Sequence, residues 1–147
     1  MCVIIDANVA HEFGSIPPHC DARPVMEWIA SKNGRIAIGG KLSEELFKTR
    51  IRRWMLELIR NGSAVQYPNN RIDSEAGRLD KVGLCTSDDP HIIALARRSG
   101  ARLLYTKDSR LQQDFKNKKL VDRPRGKIYS SHLNADLLQR CPQCKDP

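Results

Sequence analysis

Residues 88–111 read DDPHIIALARRSGARLLYTKDSRL, and they decide how the rest of the chain is read. Asp89 followed by Pro90 has the form of a helix start, with an acid at the cap and proline in the first turn. Ile92, Ile93, Leu95 and Ala96 then make an apolar stripe turned towards a core. Gly100 supplies the stop that a glycine just past a helix provides. The short apolar run Leu103, Leu104, Tyr105 follows at once, and so close a succession predicts a helix feeding a buried strand of an α/β sheet. Asp108 stands just beyond that strand, at the carboxyl end where open parallel sheets place their ligands.

Equivalent places elsewhere carry acids too. The run from Cys2 to Ile5 predicts a central strand stopped by Asp6, with Asn8 placed to orient it. Glu44 and Glu45 lie near the start of the helix KLSEELFKT; extending the stripe of Phe47, Ile51 and Leu58 back one turn brings Glu44 inward and leaves Glu45 to the side. Asp6, Asp89 and Asp108 converge only if the strands that precede Asp6 and Asp108 are near neighbours in one sheet. Carboxylates gathered in that way cannot all stay ionised without a cation, and hard oxygen donors select Mg²⁺ or Mn²⁺. The plainer reading of all three aspartates is the helix N-cap. The two roles are compatible, because a cap does not use both carboxylate oxygens. His11, His19, His91 and His132 are scattered, and His91 reads as an exposed first-turn residue. No Ser or Cys can be placed beside a base.

Strands are expected at 2–5, 35–40, 63–67 and 103–105, with an edge strand at 127–129. Helices are expected at 7–13, 24–30, over 41–60 as one piece or two, near a cap at Asp73 or Ser74, over 89–99, through Leu111 and Phe115, and after Ser130 or Ser131. This alternation argues for a mostly parallel sheet covered on both faces. Residues 1–129 form the expected domain, and 130–147 a terminal helix and loose tail.

The 147 residues suit one domain. No apolar run reaches the roughly 20 residues of a membrane span, and no basic leader precedes the first strand, so a cytoplasmic protein is expected. Five cysteines, odd in number and widely spaced apart from Cys141 and Cys144, read as reduced thiols. The CxxC pair supplies only half of a four-ligand zinc site and reads as part of a solvent-exposed tail. The net charge of +8 is lopsided: residues 1–96 hold 12 Lys and Arg against 12 Asp and Glu, and residues 97–147 hold 13 against 5. A field of that kind favours a polyanionic partner or serves solubility. Lys107 and Arg110 flank Asp108, and Arg97, Arg98, Lys116, Lys118 and Lys119 are placed to track a phosphate backbone.

The set V-I-I-D-A-N, an E-L pair in a middle helix, D-P-H-I-I-A-L-A and L-L-Y-T-K-D resembles the PIN-domain nucleases, which include the VapC-type toxins. The resemblance implies a PIN-like three-layer α/β/α sandwich and a metal-dependent endoribonuclease whose acids are Asp6, Glu45, Asp89 and Asp108. It selects Glu45 over Glu44, and it gives Thr106 a supporting role through the closing T-x-D pattern. It also implies RNA as substrate and, for a toxin, an antitoxin that covers the site and a homodimer. The basic tail beyond KNKKL departs from the small toxins. A non-catalytic RNA-binding module on the same fold is the rival reading. A receiver-type phosphoacceptor domain is disfavoured, because Pro68, Asn69 and Asn70 stand where its acceptor aspartate belongs.

Overall fold

The computed structural model describes residues 2–139 and 144–147. Its elements are β1 (Val3–Ile5), a 3-10 turn (Ala7–Val9), α1 (Ala10–Gly14), α2 (Arg23–Ala30), β2 (Ile36–Gly39), α3 (Gly40–Phe47), α4 (Arg52–Arg60), β3 (Ala64–Tyr67), α5 (Asn69–Val82), α6 (Pro90–Ser99), β4 (Leu103–Tyr105), α7 (Ser109–Lys116), β5 (Lys127–Tyr129) and a second 3-10 turn (His132–Leu137). The five strands form one sheet in the order β3-β2-β1-β4-β5, and every pairing is parallel. All residues of β1, β2 and β4 are buried. Strands covered on both faces lose the alternation of a half-exposed sheet and read as unbroken apolar runs. The result is an α/β/α sandwich.

The strand order fixes where a site can form. From β1 the chain moves outward on one side through β2 and β3, then returns to the other side of β1 with β4 and β5. Connections that leave adjacent strands in opposite directions open a crevice at the carboxyl ends of those strands. Here the strands are β1 and β4, paired Val3 with Leu103, Ile4 with Leu104 and Ile5 with Tyr105. One residue further, the same register sets Asp6 beside Thr106.

Of the two readings open for 41–60 the pair of helices holds, with the break at Lys48–Ile51. Other expectations are corrected. Helix α5 begins at Asn69, ahead of Asp73 and Ser74, after Pro68 and with no side-chain cap. The helix expected after Ser130 or Ser131 is present, capped by the Ser131 side chain with Asn134 reciprocating, and is of the 3-10 type. The carboxyl terminus is not a loose end: Cys144 forms a disulfide with Cys2, Lys145 N donates to Ser99 O at 3.0 Å, and Tyr67 Oη donates to Lys145 O. The reading of Cys2 and Cys144 as reduced thiols therefore fails, while Cys20 and Cys85 are free. The CxxC reading rests in part on Cys141, which lies outside the described residues. Among the described residues no helix is long and apolar enough to cross a membrane.

Candidate metal centre at the carboxyl edge of the sheet

Asp6 and Thr106 carry the sheet ladder one step past β1 and β4: Asp6 N donates to Tyr105 O at 3.0 Å and Thr106 N to Tyr129 O at 3.2 Å. Their side chains then meet. Thr106 Oγ1 donates to Asp6 Oδ2 at 2.7 Å and accepts from Asp108 N at 3.1 Å. One buried hydroxyl thus fixes two acids relative to each other. The other oxygen of Asp6 accepts a long bond, 3.4 Å, from the backbone N–H of Asn8. The contact from Asn8 comes through its main chain, and the residue is exposed.

Asp108 caps α7, with Oδ1 accepting from Arg110 N at 3.0 Å and Leu111 N at 3.4 Å. The cap uses one oxygen, as a ligand that also caps requires. Asp89 sits at the cap position of α6, yet its carboxylate makes no capping bond. An acid favoured there for capping is free for something else. Its position is set from behind by an acid that the sequence reading missed. Asp114 of α7 is buried and accepts from Thr86 N and Oγ1 at 2.8 Å each, and from Ser87 N at 2.9 Å and Oγ at 2.7 Å. This clamps the turn that leads into Asp89.

Helix α3 brings in the fourth acid. Gly40 starts it with φ of +60°, and an added Cβ would lie 2.6 Å from Ile72 Cγ2, so the close approach of α3 to α5 needs glycine. Glu44 is exposed and Glu45 half-buried. Glu45 Oε2 lies 4.0 Å from His91 Nε2, and Asp89 Oδ1 lies 3.7 Å from the same atom. The break after Lys48 explains why the stripe counted back from Ile51 and Leu58 pointed to Glu44: those residues belong to another helix. His91 itself is buried, contrary to the expected exposed position, and its Nε2 has no hydrogen-bond partner. Lys41, one turn before Glu45, lies 3.9 Å from Glu45 Oε1. Its i, i+4 spacing was the legible signal.

The electrostatics are those of crowded carboxylates. Burial pushes the Asp6 carboxyl up to about 6, with the charges of Asp89 and Asp108 adding to the rise and the bonds from Thr106 and Asn8 opposing it. Asp89 is raised by burial and by Glu45 and Asp108, against the pull of His91. These mutual influences place the four acids around one region, at the strand ends the sheet order singles out. They are spread wider than one tight cluster: among the described residues, His19, Cys20 and Asp21 are the trio of His, Cys and carboxylate donors lying within 4.8 Å of one another. Asp21 is already committed there, to His132 Nδ1 at 2.8 Å and Lys107 Nζ at 3.0 Å.

The expected basic residues divide. Lys107 is held by buried Glu12 at 2.9 Å as well as by Asp21. The guanidinium of Arg97 binds Glu75, Leu120 O and Lys119 O. Both side chains are thus tied to neighbouring groups while remaining partly exposed. Arg98, Arg110, Lys116, Lys118 and Lys119 are exposed. Arg98 opens onto a cleft of about 490 Å³ that it shares with Arg71, Arg78 and Arg97.

Against known proteins, the chain matches no family model, no curated protein and no solved structure. What is established is an α/β/α sandwich with an all-parallel sheet and acids gathered at its switch point.

Proposed function

We propose that the protein is a metal-dependent nuclease of the PIN-like kind, an endoribonuclease that hydrolyses phosphodiester bonds. The carrying observation is the meeting of Asp6, through Thr106, with Asp108, in a region shared with Asp89 and Glu45 at the carboxyl ends of β1 and β4. The donor set suits a hard divalent cation, Mg²⁺ or Mn²⁺, and the uncapped carboxylate of Asp89 is available to hold it. When bound, such an ion lowers the pKa of a water and offsets charge on the leaving oxygen. The chain's part is placement. Thr106 orients Asp6, the Asp114 clamp sets Asp89, and Arg110, beside Asp108, faces the phosphate with Lys116, Lys118 and Lys119 further along the strand. RNA as substrate and a toxin role with an antitoxin and a homodimer rest on the resemblance of the motifs; a cytoplasmic site of action rests on the reading of the sequence alone. The arginine-lined cleft favours a second reading, an RNA-binding module without cleavage.

Single-stranded RNAs and matched DNAs are incubated with Mn²⁺, Mg²⁺ or EDTA, using wild type, Asp6→Asn and Asp89→Asn. Metal-dependent cuts in RNA that both substitutions abolish, with folding intact by circular dichroism, support the nuclease. Salt-sensitive RNA binding without cuts supports the module, and cuts that survive both substitutions refute the site.

A further inference from the structure

We propose that the cleft between α5 and α6, walled by Arg71, Arg78, Arg97 and Arg98, is a binding site for a phosphomonoester, the terminal phosphate of a nucleotide or of a nucleic-acid end. The inference goes beyond the metal-dependent reading and holds whether or not the acids at the strand ends cut a bond.

The observation behind it is positive charge that the protein gathers and does not cancel. Four guanidinium groups line one cleft of about 490 Å³, and Glu75 is the acid among its lining residues. Both Glu75 oxygens are taken, Oε1 by Arg97 Nη1 at 2.9 Å and Oε2 by Arg78 Nη1 at 3.1 Å. Arg71 and Arg98 are exposed, and their side chains have no ion pair or hydrogen bond among the described residues. Four positive charges against one negative leave a surplus of three. Arginine cannot relieve such crowding by shedding its proton. The carboxyl of Asp6 answers its own crowding by rising to about 6, and no such escape exists here. An anion in the cleft offsets the surplus directly.

The arrangement of the charge selects the kind of anion. Backbone phosphates carry one charge each and are spaced along a strand, so basic residues strung out in a line meet them. Here the guanidiniums share one hollow, and its volume falls in the range of roughly 300–1,000 Å³ usual for small-molecule sites. A terminal phosphate concentrates close to two charges on three oxygens, and guanidinium forks match it with paired N–H bonds. One wall is fixed beforehand. Arg97 is held by Glu75, by Leu120 O at 2.7 Å and by Lys119 O at 3.0 Å, bonds that leave N–H donors of its guanidinium unspent. A side chain already fixed loses little freedom when a ligand arrives. Arg97 and Arg98 stand at the far end of α6 from Asp89, roughly 12 Å along the helix axis, so the cleft is separate from the acids.

The test is calorimetric titration in EDTA, which silences any metal centre. The probes are AMP, adenosine, and one single-stranded RNA made with a 5′-phosphate, with a 3′-phosphate or with hydroxyls at both ends. Wild type is expected to bind AMP and not adenosine, and to bind a phosphorylated RNA about tenfold more tightly than the hydroxyl-ended one. Arg71→Gln combined with Arg98→Gln, both at exposed positions, is expected to abolish these differences with folding intact by circular dichroism. Lys116→Gln with Lys118→Gln should weaken all three RNAs alike and leave AMP unchanged. AMP bound without a preference among the RNAs supports the site and assigns it to a free nucleotide. A preference among the RNAs without AMP binding supports it and assigns it to the nucleic-acid end. Wild type that binds all three RNAs equally and ignores AMP overturns the proposal, as does discrimination that survives the loss of Arg71 and Arg98. Asp6→Asn is expected to leave every one of these titrations unchanged, so failure here and failure of the metal centre are told apart.

Discussion

Asp6 and Asp114 are both buried aspartates, and the protein treats them in opposite ways. Asp114 receives four hydrogen bonds from Thr86 and Ser87, which outweigh the upward push of burial and hold its carboxyl below the usual range. Asp6 has one strong donor and acidic neighbours, so burial prevails and its carboxyl rises from 3.8 to about 6. A carboxyl raised by folding contributes stability in full below its unfolded value and loses it as pH climbs through the folded one. In EDTA, Asp6→Asn should therefore stabilise the protein at pH 8 by roughly 2–3 kcal/mol and bring no gain at pH 4, as read from thermal melts. An equal gain at both pH values would show that Asp6 is not held ionised against its surroundings. The aspartate was legible as the stop of an apolar run. Its crowding was not, since that depends on which strand lies alongside. The burial of His91 was hidden for a related reason: first-turn position says nothing of a helix covered on nearly every side.

Helix α6 was readable from end to end because Asp89, Pro90 and Gly100 punctuate a run of apolar residues, and Gly100 adopts the left-handed φ of +77° that such a stop requires. Helix α5 was not, because only Ile72 and Leu79 are fully buried along it and its polar start carries no cap. Pattern fades where one helix leans on another helix instead of on the sheet. The link that sequence could not show is the support of α6 by α7 through Asp114. Asp114→Asn should cost about 2–4 kcal/mol at neutral pH, since donors aimed at a buried carboxylate lose their charged partner. The sign is opposite to that of Asp6: the stabilisation is present above the unfolded pKa and fades as pH falls through the lowered one, so the gap between wild type and variant should shrink steadily as pH falls through the acid range in melting experiments. Metal affinity should fall alongside, as Asp89 loses its fixed approach. Weakened stability with unchanged affinity would separate the clamp from the site.

The whole molecule is closed by contacts between its ends. Cys2, leading into the central strand, is bonded to Cys144, 142 residues away, and Trp28 Nε1 donates to Gln139 O at 2.9 Å. Sequence gave no sign of this, because a pairing at that separation depends on where the last turn leaves the chain. Closing so long a loop restricts the unfolded ensemble, so Cys144→Ser should lower stability by about 2–5 kcal/mol in oxidising buffer. In excess reductant the variant and wild type should melt together; a difference that persists there would assign the loss to packing of Cys144. The alternation of strands and helices was legible, and with it the sandwich, because unbroken apolar strands need cover on both faces. The account as a whole turns on the switch point between β1 and β4. Anomalous diffraction from crystals soaked in Mn²⁺ tests it most directly. A manganese peak bounded by Asp6, Asp89 and Asp108 is the predicted result, and a peak at His19, Cys20 and Asp21 alone, or none among the four acids, would contradict it.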